Sequence, residues 1–204
     1  NKHTLLKVLG ATAVAGASAY AGAGYYVFRN AFDLQNSRFL QKCGASMQLP
    51  LLQMERNEWF AHSNRFDDFI DSYDGLKLHA LRIVNQEDSH KWIIIQHGIA
   101  SYSGTLLEHM WEADHRGFNI LAPDARGYGM SEGKYTGLGW CEHYDLISWI
   151  NYLVNLDPLA EIVLFGMNVG AASVMNAVGD YLPRNVKCAI AEGGYKEIKD
   201  IIQT

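Results

Sequence analysis

Ile162-Val163-Leu164-Phe165-Gly166-Met167-Asn168-Val169-Gly170-Ala171-Ala172 decides how the rest of this sequence is read. Four apolar residues of buried-strand type run into Gly-x-Asn-x-Gly. Ser173-Val174-Met175-Asn176-Ala177-Val178 follows with the composition of a helix. The order is therefore strand, tight turn, helix. A reversal this sharp forces its central residue, Asn168, into a strained backbone conformation. Gly166 and Gly170 flank it because side chains there would crowd the neighbouring strand and helix.

Working back from the turn, strands and helices alternate. Phe66, Phe69 and Ile70 precede Asp71-Ser72-Tyr73-Asp74-Gly75, and Leu76, Leu78, Ala80 and Leu81 follow, so Asp-Gly between two extended runs predicts a hairpin. Trp92-Ile93-Ile94-Ile95-Gln96 reads as a strand buried on both faces of a parallel sheet. It ends in His97-Gly98-Ile99-Ala100-Ser101. A helix is expected from about Gly104 to His115, stopped by Gly117. Phe118 to Ala122 is the next strand and leads into Pro123-Asp124-Ala125-Arg126-Gly127-Tyr128-Gly129-Met130-Ser131-Glu132-Gly133. A helix from about Leu138 to Val154 shows apolar residues at helical spacing. Val186 to Ala191 is a last buried strand. This alternation predicts βαβ units, a mostly parallel sheet and helices on both of its faces.

With 204 residues and 49% hydrophobic content, the chain can bury one sizeable core. A formal charge of −5 gives no basic footprint and argues against a nucleic-acid partner. Cys43, Cys141 and Cys188 are odd in number and widely spaced, so they predict neither a disulfide framework nor a zinc site. No metal and no organic cofactor is implied.

Residues 8–28 carry no charge, a length that suits a membrane-spanning helix of about 20 residues. Their Ala and Gly content suits close packing in lipid, and Tyr20, Tyr25 and Tyr26 suit the interface. Residues 1–29 are therefore expected to be a membrane anchor, with the domain extracytoplasmic; because Arg29, Arg38 and Lys42 balance Lys2 and Lys7, a cytoplasmic domain stays open. A signal segment cleaved near Ala17-Ser18-Ala19 and a soluble helix packed on the domain are the alternatives. Residues 30–64 read as a connector in which Pro50 interrupts any continuous helix and Trp59 packs on the core. Residues 65–204 are the core.

Four landmarks stand in a recognisable order: Ser-Tyr-Asp-Gly-Leu-Lys-Leu-His at 72–79, His97-Gly98, Asp124-x-Arg126-Gly127-x-Gly129-x-Ser131-x-Gly133, and Gly166-x-Asn168-x-Gly170. Together they resemble the α/β-hydrolase superfamily, and more narrowly bacterial membrane-anchored serine esterases and peptidases. The resemblance covers about residues 65–204. It implies that the turn at Asn168 is the nucleophile elbow, where the family places Ser. It implies an ester, amide or peptide substrate. It also implies that the backbone N–H groups of Ile99 and Val169 form the oxyanion hole, since two donors must converge on the oxygen that becomes negative. His97, Gly98, Asp124 and Arg126 are expected to brace loops, with Asp124 and Arg126 joined by hydrogen bonds. Ser101 and Ser131 lie outside the elbow and are not nucleophiles.

Two departures predict that this chain is inactive. The Asn168 carboxamide cannot be converted to an oxygen nucleophile by a neighbouring imidazole. The family's triad runs Ser, acid, His along the chain, yet every histidine here lies at or before His143, and Asp180, Glu192, Glu197 and Asp200 have none to orient. Three explanations stay open: the first part of a longer hydrolase with a natural or engineered Asn168, a pseudo-hydrolase acting as a binding or scaffold module, or deamidation of Asn168 to an aspartate nucleophile. The strand 186–191 is expected to be an exposed apolar edge that pairs with a second copy or a C-terminal fragment.

Overall fold

The computed structural model describes residues 18–29, 32–34, 50–195 and 197. Its centre is a six-stranded sheet. In chain order the strands are β1 (Arg65–Asp71), β2 (Lys77–Ile83), β3 (Lys91–Gln96), β4 (Asn119–Pro123), β5 (Glu161–Met167) and β6 (Val186–Glu192). Their order in space is β1-β2-β4-β3-β5-β6. β1 and β2 form the antiparallel hairpin anticipated around Asp74-Gly75, with Gly75 at φ +85. β2 runs antiparallel to β4, and every pairing from β4 through β6 is parallel.

The helices packed on the sheet are α1 (Pro50–His62), α2 (Leu107–His115), α3 (Trp140–Leu156) and α4 (Val169–Ala177). They cover both faces of the sheet, and the alternation of each strand decides which residue meets which helix. Leu78, Ala80, Trp92, Ile94, Leu121, Ile162 and Leu164 point to the side of α3 and α4, where Leu146, Trp149, Ile150, Leu153 and Val174 close one core. Leu81, Ile83, Ile95, Ile120 and Ala122 point the other way and pack with Leu106, Met110 and Ala113, with Trp59 and Phe60 of α1 at the margin. Two apolar layers on a shared sheet bury the strands on both sides, so β3, β4 and β5 read as continuous apolar runs.

Local chemistry moves three boundaries from their expected places. Pro50 begins a helix instead of interrupting one, because proline at the first helical position gives up an N–H that has no partner there. Trp59 of that helix packs on the core and donates from Nε1 to Asp114 Oδ2 at 2.7 Å. The helix expected from Gly104 begins at Leu107, after a 3-10 turn at Ser103–Thr105. The Asp124 carboxylate takes the N–H of Ser103 at 2.7 Å and holds this turn back from the helix. The helix expected from Leu138 begins at Trp140. Buried Glu142 accepts the N–H of Gly137 at 2.7 Å and of Gly139 at 2.9 Å, which folds residues 137–139 into a turn.

Residues 18–29 form a helix that is exposed along its length. Residues 8–17 of the expected anchor lie outside the described residues, as do Cys43 and Asp200. Among the described residues no helix is long and apolar enough to cross a membrane. Cys141 and Cys188 are unpaired thiols. β6 is an outer strand in the described sheet, and all of its residues after Val186 are exposed.

Candidate active site

The site is built where the parallel strands end. β5 stops at Met167, α4 starts at Val169, and the single residue between them is Asn168, at φ 53 and ψ −113. This is a sparsely populated region for a residue with a side chain, and such strain persists only when the surroundings over-determine it. The surroundings do so through the glycines. A Cβ on Gly166 would collide with the Gly170 carbonyl oxygen and lie 2.8 Å from the Ala171 nitrogen. A Cβ on Gly170 would collide with the Gln96 carbonyl oxygen and lie 2.6 Å from that of His97. Strand β5, helix α4 and the end of β3 therefore meet backbone to backbone, and the Asn168 side chain is pushed outward into solvent.

The end of β3 comes to the elbow's side. A Cβ on Gly98 would lie 3.2 Å from the Asn168 Cβ and 3.3 Å from the Met167 carbonyl oxygen. His97 is fully buried and tied at both nitrogens. Nε2 accepts the Ala125 N–H at 2.9 Å, and Nδ1 lies 2.7 Å from the Gly98 carbonyl oxygen. An amide can only donate, so Nε2 is unprotonated and Nδ1–H donates to Gly98. Burial pushes the imidazole pKa down and keeps it neutral. With neither nitrogen free, His97 joins the β3 and β4 loops and has no lone pair for a substrate. Ile99 and Val169 occupy the positions after Gly98 and Asn168, and Val169 is the first residue of α4, where backbone N–H groups lack helical partners.

Two charged clusters hold the loop after β4. In the first, Asp124 Oδ1 accepts the Ser103 N–H at 2.7 Å, and Oδ2 accepts the Met130 N–H at 2.9 Å and faces His79 Nδ1 at 2.8 Å. His79 Nε2 faces Asp67 Oδ1 at 3.0 Å. Burial works against a charged imidazole here, but the two carboxylates outweigh it and raise His79 above its ordinary pKa. Burial likewise opposes the Asp124 carboxylate, but the bonds from His79, Met130 and Ser103 hold its pKa below the ordinary value. In the second cluster, Arg126 makes a two-pronged pair with Asp145 of α3, Nε to Oδ2 at 2.8 Å and Nη2 to Oδ1 at 2.7 Å. Its Nη1 reaches Asp74 Oδ2 in the hairpin turn at 2.8 Å. Asp124 and Arg126 are thus not joined to each other, contrary to the expectation from sequence. Each anchors the loop to a different element.

Ser131 Oγ donates to the Asp124 carbonyl at 2.7 Å and accepts the His79 N–H at 2.9 Å. Ser101 Oγ is bonded to Thr105 Oγ1. Both hydroxyls serve the loops. Nothing in the sequence pattern marks Asp67, Asp145 and Glu142 as site-supporting residues, and little marks His79. His79 had one signal, a titratable residue between Leu78 and Ala80 in a strand buried at all three positions. Among the described residues, no group of three or more His, Cys, Asp or Glu side chains could hold a metal ion.

Residues 87–202, more than half of the chain, match the profile of the family described as serine aminopeptidase, S33. The chain belongs to that family. Solved structures share the fold of this S33 member. An esterase of Pyrococcus furiosus, Pf2001, is 24% identical over 74% of this chain and 56% of its own, with a TM-score of 0.58. An esterase of Exiguobacterium antarcticum, EaEST, is 22% identical over 63% of this chain and 46% of its own, with a TM-score of 0.52. XC6422 of Xanthomonas campestris, described as a serine hydrolase without a lid, is 19% identical over 56% of each chain, with a TM-score of 0.50. The S33 member spans about half the length of these structures. No curated protein matches its sequence.

Proposed function

We propose that this α/β-hydrolase of the serine hydrolase family holds ester, amide or peptide substrates without forming an acyl-enzyme at its elbow. Asn168 carries that reading. In the family's chemistry the elbow hydroxyl gives its proton to an imidazole as its oxygen attacks the carbonyl, and the resulting oxyanion is held by two backbone N–H groups. Those of Ile99 and Val169 are assigned that place here. The Asn168 carboxamide reaches the same position on the same strained turn, but its nitrogen lone pair is delocalised into its own carbonyl. It can donate and accept hydrogen bonds and does not attack.

The same residue supports a binding or scaffold role. An exposed carboxamide beside unpartnered N–H groups is a place for a carbonyl or carboxylate to dock. The uncharged run of residues 8–28 supports attachment to a membrane with the domain on its extracytoplasmic side, and the apolar exposed strand β6 supports pairing with a further strand, from a second copy or a C-terminal fragment.

The test is to expose the full-length protein to a fluorophosphonate probe and to a chromogenic ester. Neither covalent labelling nor turnover above a heat-denatured control is expected. Stoichiometric labelling of the native sequence would overturn the reading.

A further inference from the structure

The far side of the α3 amino terminus carries a run of exposed aromatic rings that the hydrolase fold does not use. Trp140, the first residue of α3, is 60% exposed, and Tyr73 in the hairpin turn is 59% exposed. Tyr144 joins them, with its ring centre 5.1 Å from Tyr73 and 6.4 Å from Trp140. On the other side of Trp140 an apolar groove of about 920 Å³ is lined by Phe28, Phe32, Leu76, Tyr135 and Cys141.

The N-terminal segment is fixed to this groove. Leu34 N–H donates to the Lys134 carbonyl at 3.2 Å, and Thr136 N–H donates to the Phe32 carbonyl at 3.2 Å. Asp33 pairs with Tyr135 in an antiparallel bridge. Phe28 stacks on Phe32 at 5.2 Å and lies 5.3 Å from Tyr135. Phe28 is also the last residue of the uncharged run that begins at Val8. The run therefore ends on the aromatic patch, at a place set by backbone hydrogen bonds.

We propose that Tyr73, Tyr144, Trp140, Tyr135 and Phe28 form a seat in the headgroup layer of a lipid bilayer. The proposal rests on the membrane reading of residues 8–28 and adds which face of the domain meets the lipid. Three observations favour lipid over a protein partner. Four of the five residues are Trp or Tyr, whose rings are apolar at one end and hydrogen-bonding at the other, as the interface requires. Tyr20, Tyr25 and Tyr26 are likewise exposed, on the helix of residues 18–29 that carries Phe28. The charges beneath the patch nearly cancel: Arg126 lies between Asp74 and Asp145, and Glu132 and Lys134, of opposite charge, line the groove, a net of one negative charge over these five groups. The seat would hold the domain with the α3 amino terminus against the membrane.

The tryptophans supply the test. Trp92 and Trp149 are buried, and Trp59 and Trp111 lie on helices that cover the opposite face of the sheet. The full-length protein is mixed with phosphatidylcholine–phosphatidylglycerol vesicles, with and without bromine on the acyl chains, and its tryptophan fluorescence and flotation are read together. Brominated lipid should quench the native protein, and Trp140→Phe should remove more than half of that quenching while flotation is retained. Flotation with quenching unchanged by Trp140→Phe would overturn the seat and leave the anchor standing. A protein that does not float refutes the membrane reading itself. Trp140 shielded from aqueous acrylamide without vesicles, in a concentration-dependent manner, would assign the patch to a second copy and also overturn the proposal.

Discussion

The apex of the elbow and the loops that support it differ in what fixes them. In the loops each tie is in place. Gly166 and Gly170 allow three backbones to meet, His97 bridges the β3 and β4 loops, Asp124 holds Ser103 and Met130, and Arg126 ties the hairpin to α3. At the apex Asn168 is held at φ 53 on the turn between β5 and α4, with its side chain exposed. The difference teaches that the geometry of this site rests on sterics and buried polar bonds that never touch the reacting atom. Chemistry can change at one position without the frame moving.

Breaking the frame should therefore cost much more than altering the apex. The largest effect is expected from Arg126→Ala, which strands two carboxylates, one of them buried, and should cost about 3–5 kcal/mol in urea denaturation. Gly170→Ala should cost about 3 kcal/mol, because the added carbon meets the carbonyls of Gln96 and His97, neither of which can rotate away. A loss under half of that would show that β3 and α4 are less tightly joined than described.

The His79 cluster sharpens the comparison through pH. His79 has its pKa raised on folding, so its contribution is full below its ordinary value of about 6.5 and fades as pH climbs through the higher folded value. Asp124 has its pKa lowered, so its contribution is full above its ordinary value of about 3.9 and fades as pH falls through the folded one. Both act fully between about pH 4 and 6.5. The stability gap between the native protein and His79→Gln should be widest there and narrow towards pH 9. A gap that widens with rising pH would refute the charged imidazole. The smallest change is at the apex. Asn168→Gly relieves a positive φ and should stabilise by about 1 kcal/mol, seen as a raised Tm.

Much of this was legible in the sequence because it is local. Unbroken apolar runs gave β3, β4 and β5, Asp74-Gly75 gave the hairpin, and Gly-x-Asn-x-Gly gave the elbow. The charged clusters were not legible because their members are far apart in the chain, with His79 bonding Asp67 and Asp124 across 12 and 45 residues. Nothing in the spacing of Arg126 picks Asp145 over its nearer neighbour Asp124; the register of α3 against the β4 loop makes that choice. The start of α3 was misplaced for a related reason. Glu142 looks like an ordinary first-turn acid, but its burial turns it into the acceptor that shapes residues 137–139.

The central claim is that a hydrolase frame stands here without an elbow hydroxyl and, in these 204 residues, without a histidine after the elbow. It is tested most directly by fluorophosphonate labelling of these 204 residues carrying Asn168→Ser. The account predicts that the variant folds with stability within about 0.5 kcal/mol of the native protein and stays unlabelled, because a hydroxyl with no imidazole to take its proton is not activated. A folded Asn168→Ser protein that labels at residue 168 would show that a base already reaches the elbow, and would contradict the account.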